Sequence, residues 1–114
     1  MLNHVVLIKL KDGVQESQID DLEKSLDALP NAIVEIHVYE FGRDILRSER
    51  SYDFAIVSLF ANLEALKRYQ THPEHLKVLQ KIKALSAAVV TVDFEGTDAG
   101  DFKEKTPGAA FLDR

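Results

Sequence analysis

The chain has 114 residues, 46% hydrophobic and 29% charged, with a formal net charge of −5, which fits one ordinary globular domain. The surplus of carboxylates argues against a nucleic-acid partner, because phosphate backbones select clustered Lys and Arg. The absence of cysteine excludes a disulfide framework, thiol catalysis and zinc sites built on thiolates.

No stretch approaches the roughly 20 consecutive apolar residues of a membrane-spanning helix. The apolar run Val5 to Ile8 is too short for the core of a secretory signal. The expectation is therefore a cytoplasmic protein with no membrane partner.

In chain order, residues 3–10 (NHVVLIKL) are rich in β-branched side chains and are followed by the turn pair Asp12-Gly13, so they predict a strand. A period of two places His4, Val6, Ile8 and Leu10 on one face and Val5, Leu7 and Lys9 on the other. Ile19, Leu22, Leu26 and Leu29 recur at helical spacing and predict a helix over 16–29. Ser17 with Asp20 predicts its capping box, and Pro30 is expected to stop it. Residues 33–41 (IVEIHVYEF) predict a second strand, with Glu35, His37 and Tyr39 on a solvated or interface face. Residues 43–51 predict a polar loop. Its Arg43, Arg47 and Arg50 are interleaved with Asp44 and Glu49, so a solvated surface is favoured over an anion site.

Residues 52–60 (YDFAIVSLF) predict a third strand. Asn62 is a suitable N-cap for a helix carrying Leu63, Leu66 and Tyr69. That helix should break before Pro73, which suits the first position of the next helix, striped by Leu76, Leu79 and Ile82. Residues 87–94 (AAVVTVDF) predict the last strand. The domain is thus expected to span 1–96. Residues 97–114 show no period and are expected to form a tail, flexible in the main, on which Phe111 and Leu112 are candidates to dock.

The order β-α-β-β-α-α-β predicts an α+β, ferredoxin-like fold: a four-stranded antiparallel sheet with its helices on one face. Helices on one face leave the other open, yet the strands are apolar on both. An open apolar face of several hundred Å² marks an interface, and the simplest cover is a second copy of the chain. A homodimer is therefore expected, and a charge on the open face, taken here at Val6, should dissociate or unfold it.

Three segments, HVVLIKLKDG (4–13), YDFAIVSLF (52–60) and YQTHPEH (69–75) followed by a strand ending in VDF, together resemble the stress-responsive α/β-barrel (Dabb) family. The likeness covers residues 3–94. It implies a ferredoxin-like protomer that pairs its sheets face to face into a dimeric α/β barrel. Most members have no known reaction. One plant member closes a linear polyketide ring without a cofactor, and the residues that serve it match Tyr69, His75 and His4 here.

Those three residues also carry chemistry in their own right. A histidine near its ordinary pKa of about 6.5 accepts a proton at neutral pH, and a phenol donates a hydrogen bond to a developing oxyanion. An aldol-type closure needs both, and needs no metal where the substrate proton is already acidic. Plainer roles stand beside this one. Tyr69 is also a core residue with its hydroxyl at the rim, His72 a helix cap, His75 a partner for a carboxylate, and His4 a satisfied polar end. His72, Glu74 and His75 carry ligand atoms, but the spacing and Pro73 oppose convergence on a metal. No metal or other cofactor is expected. Two functions stay open: a homodimer binding a small organic ligand between sheet and helices, and a cofactor-free cyclase or lyase with His4, Tyr69 and His75 as its catalytic residues, acting on a polyketide-like or aromatic substrate.

Overall fold

Seven elements follow one another in the structure, a computed structural model that describes residues 1–96: β1 (Leu2–Leu10), α1 (Glu16–Ala32), β2 (Val38–Arg43), β3 (Phe54–Phe60), α2 (Leu63–Thr71), α3 (Pro73–Leu85) and β4 (Ser86–Glu95). The tail expected over 97–114 lies outside the described residues. The strands form one sheet in the order β2-β3-β1-β4, antiparallel at every pairing. This is the ferredoxin-like arrangement that the element order implies.

Register sorts the two faces. Leu2, His4, Val6 and Ile8 of β1 stand opposite Phe60, Ser58, Ile56 and Phe54 of β3, and this row meets the helices. The core joins Ile8, Phe54, Ile56 and Phe60 to Leu22, Leu26 and Leu29 of α1, Ala65, Leu66 and Tyr69 of α2, and Val78, Ile82 and Leu85 of α3. On the opposite face, Val5 lies between Val57 and Val92, and Leu7 between Ala55 and Val90. Val38 beside Leu59 extends the patch to β2. Among the described residues no helix covers this side: Val92 is 61% exposed and Phe94 49%. Val6, taken above as an open-face position, instead packs against the core from the helix side. The alternation of β1 fixes two faces but does not say which one the helices choose, and Val57 or Leu7 is the position at which a charge tests the open face.

Helix α1 differs from its expected limits. It begins after Gln15, whose N–H donates to Gln18 Oε1 at 2.8 Å, so Ser17 already lies inside the helix and caps nothing. It also runs through Pro30 to Ala32. A proline in the last turn forfeits one hydrogen bond, while burial of Leu29 and Ile33 and the Ile33 N–H to Leu29 carbonyl bond (2.9 Å) carry the helix past it. Ile33 and Val34 therefore close a helix instead of opening a strand, and β2 starts only at Val38.

Asn62 caps α2 as expected, its Oδ1 accepting from Ala65 N–H at 2.9 Å. Leu63 of α2 and Leu76 of α3, both expected inward, are 50% and 44% exposed; Ile82 of the expected α3 stripe is buried, and Val78 and Leu85 are buried with it.

Candidate functional site

Tyr69 belongs to the inward stripe of α2 and is 3% exposed. Two residues after it the helix ends. His72 is at once the C-cap of α2 and the N-cap of α3, where its Nδ1 accepts from Glu74 N–H at 3.1 Å. Pro73 opens α3, its missing N–H costing nothing at that position. The bend turns His75 back on Tyr69, their ring centres 4.3 Å apart at 45°. The His75 Nδ1–H donates to the carbonyl of Gln70 at 3.1 Å. In the neutral ring that leaves the lone pair on Nε2. Burial lowers the His75 pKa from its ordinary 6.5, and the neighbouring His4 and His72 add to this against the bond from Gln70. The ring is thus neutral at pH 7.

His4 is 6% exposed on the helix side of β1. Its β4 register partner is Asp93, and His4 Nδ1 bonds directly to Asp93 Oδ1. The Ser58 hydroxyl donates to the His4 carbonyl at 3.3 Å from the other neighbouring strand. Among the described residues no fully buried side-chain nitrogen or oxygen lacks a partner, and His4 Nε2 has none among them. It therefore reaches accessible space.

The three residues singled out from sequence come together on Tyr69. His4 lies 6.3 Å from its ring centre, edge-on, and Phe60 lies 4.9 Å away. Asp93, Phe60 and Tyr39 also belong to this cluster, and the residue pattern did not single them out. Tyr39 faces the helices, not solvent: its hydroxyl is 3.0 Å from that of Tyr69. Of the other two residues of its run, Glu35 pairs with Arg68 at 3.0 Å, and His37 is exposed. Burial raises the pKa of both phenols above 10, and the Tyr39 hydroxyl opposes part of that rise at Tyr69.

Two other features weighed above resolve differently. Arg43 ends β2 among Glu16, Asp20 and Glu23 of α1, with Asp20 at 2.9 Å and Glu23 at 2.8 Å. Arg47 pairs with Asp53 at 3.0 Å. Both cations are thus held by carboxylates. A cavity of about 520 Å³ lies near these residues, lined by Leu10, Gly13, Arg43 and Phe54 among others, and one of about 340 Å³ lies between α1 and α3. Neither is lined by His4, Tyr69 or His75. The partly exposed His75 marks the accessible edge of the Tyr69 cluster.

A model of the family described as the stress responsive A/B barrel domain (Dabb) matches residues 2–96. The stress-response A/B barrel domain-containing protein HS1 of Arabidopsis thaliana is 28% identical over 98 residues, covering 84% of this chain and 90% of that protein. Olivetolic acid cyclase of Cannabis sativa is 26% identical over 77 residues, 66% of this chain and 76% of that enzyme. Among solved structures, a dimeric ferredoxin-like protein of unknown function from Thermobifida fusca superposes with a TM-score of 0.78 at 33% identity, over 83% of this chain and 90% of that one.

Proposed function

Because the chain belongs to the stress responsive A/B barrel domain family, we propose that it works as a homodimer which binds a small organic ligand beside Tyr69 and His75. The observation that carries the site is the 4.3 Å approach of His75 to Tyr69, which sets a neutral imidazole against a phenol. Such a pair recognises a molecule with an acidic proton or hydroxyl near an oxygen acceptor. The dimer rests on the uncovered apolar face of Val5, Leu7, Val57, Val90 and Val92, supported by the dimeric state of the Thermobifida fusca protein.

A second reading is catalysis without a cofactor, a cyclase or lyase step on a polyketide-like or aromatic substrate. The free Nε2 atoms of His75 and His4 favour it, as does the likeness to olivetolic acid cyclase. A neutral imidazole there takes a proton from carbon or oxygen, and the Tyr69 hydroxyl donates to the oxygen on which negative charge develops. Proton removal flanked by carbonyls needs no Lewis acid from the protein.

Binding of 4-nitrophenol, read by its absorbance, tests the site. Tyr69→Phe, which loses the donor to the phenol oxygen, and His75→Ala, which loses the acceptor of the phenol hydrogen, should each weaken binding several-fold at a pH where the probe is neutral, as loss of one hydrogen bond does, with the circular dichroism spectrum and the dimer unchanged. Wild-type affinity in both variants would refute the assignment.

A further inference from the structure

The site as read so far uses one phenol, and the structure supplies two. Tyr39 comes from β2, 30 residues before Tyr69, and its β3 partner Ser58 is also the partner of His4. One sheet row thus carries Tyr39, Ser58, His4 and Asp93 under the Tyr69 ring. The two hydroxyls stand 3.0 Å apart, and neither has another hydrogen-bond partner among the described residues. Each hydroxyl has one hydrogen, so the pair holds two. The bond between them uses one and leaves one over.

Which phenol keeps the spare hydrogen decides what the site can do. The Tyr69 ring is packed against His75, Phe60 and His4, whereas the Tyr39 ring touches Tyr69 alone among the rings of the cluster. A ligand oxygen beside His75 meets Tyr69. Once Tyr69 donates to that oxygen, its own oxygen can only accept, and Tyr39 is the donor in place.

Resting on the ligand site proposed above, we infer that Tyr39 is a positioning residue which donates its hydroxyl hydrogen to Tyr69, so that Tyr69 turns its own hydrogen to an oxyanion or enolate oxygen of the ligand. Donation into the Tyr69 oxygen polarises the Tyr69 O–H and strengthens it as a donor, the cooperative behaviour of hydrogen-bond chains in a low dielectric. Tyr39 acts through Tyr69 and touches no ligand. The chain selects ligands whose oxygen carries negative charge, since polarisation rewards charge more than a neutral carbonyl.

Ionised Tyr69 imitates the state in which charge has moved onto the site, because a phenolate only accepts. A fluorinated tyrosine placed at position 69 ionises at lower pH than tyrosine does, its ¹⁹F resonance follows that ionisation, and circular dichroism over the same pH range checks that the protein stays folded. Histidine titration, ordinarily near 6.5, falls below this range. With Tyr39 replaced by Phe, the midpoint should rise by about one pH unit, a tenfold loss of ionisation, as expected for removing one donor from a charged oxygen. A midpoint that is unchanged or lower overturns the inference. The second arm is a cycle of Tyr39→Phe and Tyr69→Phe read by 4-nitrophenolate binding near neutral pH. Tyr39→Phe should weaken the probe about three- to tenfold in the wild-type background and not at all when Tyr69 is already Phe. An equal loss in both backgrounds would show that Tyr39 only packs, and would refute the inference. If Tyr69→Phe alone leaves probe binding intact, the ligand site itself is refuted, while the ¹⁹F midpoint still decides the link between the two phenols.

Discussion

Replacing Val57 with Asp tests the dimer at its centre. Val57 sits on β3 opposite Val5, with Val92 on the far side of β1, and is 39% exposed in the protomer. Complete burial of a valine side chain contributes about 1.5–3 kcal/mol. The remaining 39% is then worth roughly 0.6–1.2 kcal/mol per protomer, and two-fold symmetry doubles it to about 1–2 kcal/mol per dimer. The carboxylate adds a larger cost, several kcal/mol for each ion taken from water without a partner, again twice. A total of at least about 6 kcal/mol corresponds to a weakening of roughly 10⁴-fold in Kd. Sedimentation over a wide concentration range should show Val57→Asp as a monomer of about 12.8 kDa, with Val57→Ala remaining a dimer weakened by only the smaller, hydrophobic part. Circular dichroism should report the same fold for both. A Val57→Asp protein that sediments as a dimer with the wild-type Kd would refute the face-to-face packing of the open surface.

Ile8 is 0% exposed on the helix side of the same sheet, so Ile8→Ala should cost about 2–5 kcal/mol in urea unfolding; a loss below about 1 kcal/mol would mean that the core near Phe54 closes over the gap. His75 has a folded pKa below 6.5 because burial penalises its charged form. Between that value and 6.5 the unfolded chain binds more protons, so stability should be complete above 6.5 and fall as pH drops through the window. His75→Gln should flatten this slope in urea midpoints taken from pH 5 to 7, and identical slopes would contradict the burial of the ring.

How much of this could be read from the residues depends on the distance along the chain over which each feature is decided. Strand β1 was legible because Val5, Val6 and Ile8 are β-branched and the turn residues follow them at once. The two helices around Pro73 were legible for the same reason: Asn62, Tyr69, His72 and Pro73 set their ends locally. In the β2 region local propensity and tertiary burial conflict. Ile33 and Val34 look like strand residues, yet Ile33 is buried as the C-cap of α1 and Val34 is 89% exposed in the turn that follows, so tertiary burial overrides β propensity there. The pattern puts Tyr39 on a solvated or interface face and gives Asp93 no role, because their partners lie 30 and 89 residues away. Nothing in the pattern around a tyrosine or an aspartate in a strand states which residue a neighbouring strand will present to it.

His72 closes one helix and opens the next, and this divides the cluster into parts assembled at different stages of folding. Tyr69 and His75 are six residues apart in the chain, and their approach needs only the two caps and the bend at Pro73. Closing so short a loop takes on the order of 10–100 ns. His4 lies 65 residues from Tyr69 and reaches it only when the first strand enters the sheet between β3 and β4, a long-range closure that low local contact cannot hasten. The Tyr69–His75 half of the cluster should therefore outlast the His4 half in partly unfolded states. In hydrogen exchange, the amides of the α2–α3 corner and of the β1–β4 ladder should part into separate opening units, with the ladder dividing His4 from the other two residues when it opens.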